Sequence, residues 1–171
     1  MNAKEASEML GITYGQLRYL VERIDAITKK ETSQGHAHDF NFQDLLFLKL
    51  AAMIRADKIR LDFINEAILL LEEAMKIHKR IHGTLIYRPD IYKNWFPQDI
   101  FIEPLATARW MWTPADFEWR EGTANFNKQD ISYVDHIPGT LYSVSGILRE
   151  LTRNDQMQLE FKQRKEVYEE T

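Results

Sequence analysis

An α+β fold, mainly α, is predicted by three features of the chain. Apolar residues recur at helical three-and-four spacing over the first 82 residues, short β-type runs fill 84–139, and helical spacing returns beyond Gly139. All five prolines lie between 84 and 139, so the change of texture at Gly83 predicts two regions, 1–82 and 83–171.

In the first region Ala6, Met9 and Leu10 share one helical face, and Gly11 can take the positive φ that stops that helix. Thr13 is the expected cap of a second helix. Gln16, three residues on, completes a capping box, and Leu17, Leu20 and Val21 form the buried face. Residues 26–39 hold Lys29, Lys30, Thr32, Ser33 and Gly35, too polar and turn-rich to continue an apolar face, and read as a loop or small β-wing. Asn41, with Asp44 at the third position, caps the next helix, apolar along Leu45, Leu48, Ala52 and Ile54 and ending near Asp57. After the short connection 58–60, a longer helix is expected over 61–82. Its stripe is Leu61, Ile64, Ile68, Leu71, Met75, His78 and His82, with no Gly or Pro inside.

The second region offers β-type runs at 85–87, 100–102, 110–112, 117–119 and 131–134, with helix as the alternative for 107–112. Leu141, Val144, Ile147, Leu148 and Leu151 then restore a helical stripe, and Asn154 is the expected cap of a last, charged helix reaching about Glu169.

Composition narrows the function classes. No cysteine is present, which excludes disulfides, thiolate catalysis and zinc fingers. No apolar run is long enough for a membrane span, and Glu5 and Glu8 stand where an export signal would be apolar. The expected location is therefore cytoplasmic, of bacterial nucleoid-associated type. The net charge of −4 is unevenly spread. Residues 1–60 carry nine Lys/Arg against eight Asp/Glu, a net of +1, leaving −5 for the rest. The first region is thus the one better suited to a polyanion, although it is not strongly basic.

Two short helices joined at Gly11 form a helix-turn-helix pattern, in which the first exposed positions of the second helix, here Tyr14, Gly15, Gln16 and Arg18, meet base edges. Duplex DNA is therefore the expected partner. The order helix, turn, helix, wing, helix, helix over 1–70 resembles the MerR family of winged helix-turn-helix proteins. Gly11-Ile12-Thr13 is similar to that family's Gly-Val-Ser turn, Leu17-Arg18-Tyr19 to its Leu-Arg-Tyr segment, and Phe40-Asn41-Phe42-Gln43-Asp44-Leu45 to its Tyr-Ser-x-x-Asp-Leu helix start. The resemblance covers less than half the chain. It implies a winged fold, a dimeric transcription regulator and a phosphate-holding role for Arg18. Departures are Gly15 where the family usually has a basic residue, Leu20 for the second aromatic, and Ala37 or His38 at the wing position usually held by Arg.

The residues expected at DNA are Thr13, Tyr14, Gln16, Arg18, Tyr19, Lys29, Lys30 and His38. For Tyr19, packing and phosphate contact are both open. A homodimer is expected through the stripe Ile64, Ile68, Leu71 and Met75, through the C-terminal helices, or through both. A DNA-binding accessory factor of a mobile element and a protein-interaction adaptor are the alternatives.

Residues 84–142 hold 12 of the 20 aromatics, enough either for the core of a small β-rich unit or for an effector pocket built from Trp95, Trp110, Trp112, Glu118 and Trp119. His78 and His82, four apart on one expected helix face, have a metal-compatible spacing, but no carboxylate follows at the next turn and no metal site is assigned. No catalytic set can be assembled: Asp116, Glu118, Asp130 and Asp135 are scattered among turns, so neither an enzyme nor a cofactor is expected.

Overall fold

The computed structural model describes residues 1–28, 39–79, 82–87, 105–107, 109–113, 117–120, 123–126, 129–130 and 140–168. The fold is α+β and mainly helical. Five helices come first: α1 (Ala3–Leu10), α2 (Tyr14–Val21), α3 (Asp25–Thr28), α4 (Phe42–Ala56) and α5 (Leu61–His78). Strands β1 (Thr84–Tyr87), β2 (Leu105–Ala106), β3 (Trp110–Thr113), β4 (Phe117–Arg120), β5 (Thr123–Phe126), β6 (Gln129–Asp130) and β7 (Thr140–Ser143) follow. Helices α6 (Val144–Leu151) and α7 (Asp155–Tyr168) come last among the described residues.

Helix α4 is the hub because it is apolar on nearly every side. Phe42, Leu45, Leu46, Phe47, Leu48, Leu50, Ala51 and Ile54 are all buried, as suits a helix enclosed by other elements rather than lying on a surface. It contacts α1 and α2 as well as α5, α6 and α7. Its start is secured by the Asn41 capping box, in which the buried Asp44 carboxylate accepts from the Asn41 backbone at 3.1 Å. A further orphan donor, the Phe42 N–H, reaches Glu160 of α7 at 2.9 Å, tying the last helix to the first turn of α4.

Helix α5 spends its stripe internally. Ile64, Ile68, Leu71 and Met75 are buried in the chain's own core, where α5 meets α4 and β3. This corrects the expectation that these four form a free dimer seam; the apolar side chains α5 leaves exposed are Leu69 and Ile77. The expected helical limit of 82 is also too long. The helix ends at His78, where Lys79 turns left-handed at φ 49° and ψ 32°. His78 and His82 consequently do not share a helix, and His82 instead presents its ring edge-on to Phe161, 6.1 Å between centroids.

One sheet has the antiparallel order β2-β3-β1-β7. Its register sets Leu85 opposite both Trp112 and Tyr142, and Tyr87 opposite Trp110, so these aromatics share the sheet face that joins the helical core. Tyr87 and Trp110 lie 4.9 Å apart, and Trp110 and Tyr142 6.0 Å. Ile86 and Met111 point the other way and are buried outside that core cluster. Strands β4, β5 and β6 pair as a second antiparallel sheet.

The expected helical run from Leu141 begins three residues late, because 140–143 pairs as a strand against β1 and Ser143 then caps α6, accepting from Gly146 N–H at 2.9 Å. For 110–112 the strand reading holds, not the helical alternative. The 100–102 and 131–134 runs lie outside the described residues. One cluster of buried side chains runs from Ala6 to Met157, so Gly83 marks a change of element type within a shared core.

Candidate nucleic-acid interface

The pair α1 and α2, with the turn between them, is held by complete caps. Asn2 and Glu5 form a capping box at the start of α1. At its end Gly11, at φ 68° and ψ 31°, closes a Schellman motif: Gly11 N–H donates to the Glu8 carbonyl at 3.2 Å and Ile12 N–H to the Ser7 carbonyl at 3.1 Å. Lys49 of α4 supplies another donor to this turn, its Nζ reaching the Leu10 carbonyl at 3.2 Å while pairing with Glu150 of α6 at 2.8 Å. The turn is therefore anchored from the hub helix, and the hub's lysine is itself held from the C-terminal half.

Thr13 and Gln16 form the expected reciprocal box at α2: Thr13 Oγ1 accepts from Gln16 N–H at 3.2 Å, and Gln16 Oε1 accepts from Thr13 N–H at 2.8 Å. Leu17, Leu20 and Val21 are buried against the hub side, which leaves Tyr14, Gly15, Gln16, Arg18 and Tyr19 on the solvent side. Tyr14 is 61% exposed, a large apolar ring with no covering. The structure thus brings Thr13, Tyr14, Gln16, Arg18 and Tyr19 together on one short helix.

Two internal contacts modify their roles. Arg18 Nε donates to Glu22 Oε1 at 2.8 Å, and this hydrogen bond and charge raise the guanidinium pKa further above its ordinary value. A phosphate must compete with Glu22 for the guanidinium, although the pair is open to solvent and screened by water. Tyr19 lies under the Arg23 guanidinium, 4.6 Å from its ring centroid, which places a cation beside the helix that sequence inspection did not single out. Gln16 is likewise partly committed, because the carbonyl oxygen that would accept from adenine already serves the cap.

Beside these residues runs a groove of about 720 Å³. One wall is the α1–α2 turn and one side of α2, including Gly11, Thr13, Gly15 and Tyr19; the other is the C-terminal end of α4, with Ala52, Arg55 and Ala56. Arg55 was not a sequence candidate, since its helical position alone does not say that α4 ends against α2. Its Nη1 donates to the Ile59 carbonyl at 3.1 Å, which restrains the side chain.

Of the remaining expected DNA residues, Lys29, Lys30 and His38 lie outside the described residues, as do positions 29–38 of the 26–39 stretch expected to be a loop or small β-wing. Among the effector-pocket residues, Trp110 and Trp112 are fully buried in the core of the sheet, which corrects their placement as pocket lining; the groove lies elsewhere, against α2. Trp95 lies outside the described residues, and Glu118 and Trp119 fall in β4, in the separate three-stranded sheet. Among the described residues no cluster of three metal-ligating side chains occurs, and no helix is long and apolar enough to cross a membrane. Compared with models of known families, with curated proteins and with solved structures, the chain matches none.

Proposed function

We propose that the chain is a sequence-specific duplex-DNA-binding regulator of MerR-like type, acting as a homodimer. The observation that carries the reading is the double-capped helix pair whose second member keeps its apolar side against α4 and its aromatic, amide and guanidinium groups toward solvent. A rigid short helix bearing Tyr14, Gln16 and Arg18 is the size and chemistry of a major-groove reader. Arg18 and Arg23 supply charge for phosphates, and Tyr14 and Gln16 meet base edges. The weak overall charge makes sequence readout, rather than nonspecific attraction, the main source of affinity. The sheet and C-terminal helices then serve dimerisation or the reception of an effector or partner, and α4 joins them physically to the reading helix.

Selection of bound sequences from a random duplex pool tests this. A shared motif, twofold symmetric for a dimer, supports the proposal; recovery of no preferred sequence at any salt concentration rejects it. One observation favours a second reading, a protein-interaction adaptor. Arg18 is already paired with Glu22 beside the exposed Tyr14 ring, a surface that also suits a protein partner. The same selection separates the two.

A further inference from the structure

We infer that the groove between α2 and the end of α4 seats one strand of the DNA backbone, with a phosphate held by Arg55 and the sugar-phosphate chain passing over the bare backbone of Gly15. This rests on the DNA-binding reading above and assigns a second contact surface beside the base-reading face.

Gly15 is the first argument. It sits in the first turn of α2, where glycine weakens a helix relative to alanine, so a glycine there calls for a reason. The described residues supply none: among them a Cβ built on Gly15 meets no atom within 4 Å, and the residue takes no left-handed φ. What the missing side chain keeps open is the space outside the protein, on the wall of the groove. Close approach of an external chain is the remaining use for a residue without a Cβ.

Charge selects the occupant. Among the described residues, those lining the groove include one cation, Arg55, and no carboxylate. Asp57, two positions beyond Arg55, keeps its charge but does not line the groove, and its carboxylate accepts from the Tyr142 hydroxyl. Arg55 spends one N–H on the Ile59 carbonyl, and a guanidinium has five, so its planar fork can still meet a phosphate. Thr13, on the opposite wall, offers a hydroxyl to the same strand. Tyr14 and Arg18 do not line the groove; each immediately precedes a residue that does, so they stand about 100° round α2 from Gly15 and Tyr19, and a duplex read from that side brings its backbone toward this opening.

The test uses the full chain and a fluorescein-labelled duplex, first of random sequence and then of the selected site, titrated at two salt concentrations. Arg55→Gln removes the charge and leaves a shorter polar side chain; Gly15→Ala adds one methyl group to the wall. The expected result is that Arg55→Gln flattens the salt slope by about one unit and weakens binding about fivefold at 0.15 M salt, with Arg55→Lys restoring the slope. Gly15→Ala is expected to be folded, to melt higher than the parent, and yet to bind about tenfold more weakly, through overpacking against the strand. If the parent binds and both variants bind like it with the parental salt slope, while Gln16→Ala loses site preference, the groove assignment is overturned and the DNA-binding reading stands. If the parent binds neither duplex, both fall.

Discussion

Gly11 and Gly15 stand four residues apart in one motif, yet alanine at each should move stability in opposite directions. At Gly11 the backbone is left-handed, φ 68° and ψ 31°, and an added Cβ meets nothing within 4 Å. No steric clash therefore adds to the conformational cost, which is about 1 kcal/mol for a non-glycine residue held left-handed, less the small gain from a stiffer unfolded chain. At Gly15 the backbone is helical and the space is equally open, so alanine should stabilise by about 0.5–1 kcal/mol. In a chain of this size each kcal/mol moves Tm by about 2–4 °C, so Gly11→Ala should melt a few degrees below the parent and Gly15→Ala above it. Thermal unfolding followed by circular dichroism, checked by urea midpoints, reads both. Shifts of the same sign would refute the backbone assignment of the turn.

Other outcomes follow from the core and its ties. Phe42→Ala removes a fully buried ring at the start of the hub helix, 5.3 Å from Phe161, and should cost about 3–5 kcal/mol in denaturant titrations. Lys49→Met leaves the Leu10 carbonyl without its lysine donor and should cost about 1–2 kcal/mol, whereas Glu150→Gln, at a half-exposed partner, should cost less than about 1. Burial, with the Asp57 contact second, raises the Tyr142 pKa above its ordinary value, so the folded state favours the neutral phenol. That contribution is present below the unfolded value of about 10 and is lost as pH rises above it, so stability should fall in alkali. Tyr142→Phe should flatten that alkaline loss in melting curves taken from neutral pH to pH 11; an unchanged curve counts against the assignment.

The helical half was legible because its signals are local. Asn41 with Asp44, and Thr13 with Gln16, are capping pairs three residues apart, and both form as the spacing predicts. Asn154 likewise accepts from Met157 N–H at the start of α7. What the sequence hid is set by long-range pairing. Leu141 fits a helical stripe, but β1 offers it a ladder, and 62 residues separate Gly83 from the Ser145 hydroxyl that receives its N–H. The stripe of α5 resembled a dimer seam because periodicity reports an apolar face without naming what covers it; here α4 and β3 do. Trp110 and Trp112 were ambiguous for the same reason, and cross-strand neighbours decide that they are core. On α2, the exposure of Tyr14, Gln16 and Arg18 could be read from spacing, whereas the place of Arg55 on the groove could not, since it depends on how α4 crosses α2.

The central claim is that the exposed face of α2 reads duplex DNA. The most direct measurement compares the parent with an Arg18→Ala/Gln16→Ala double variant, shown by circular dichroism to be folded, on the selected site and on a scrambled duplex at two salt concentrations. Loss of Gln16 should cost about 1–3 kcal/mol on the selected site and little on the scrambled one, and loss of Arg18 should flatten the salt slope by about one unit on both. Binding by the folded double variant that is unchanged in affinity, site preference and salt slope would contradict the account.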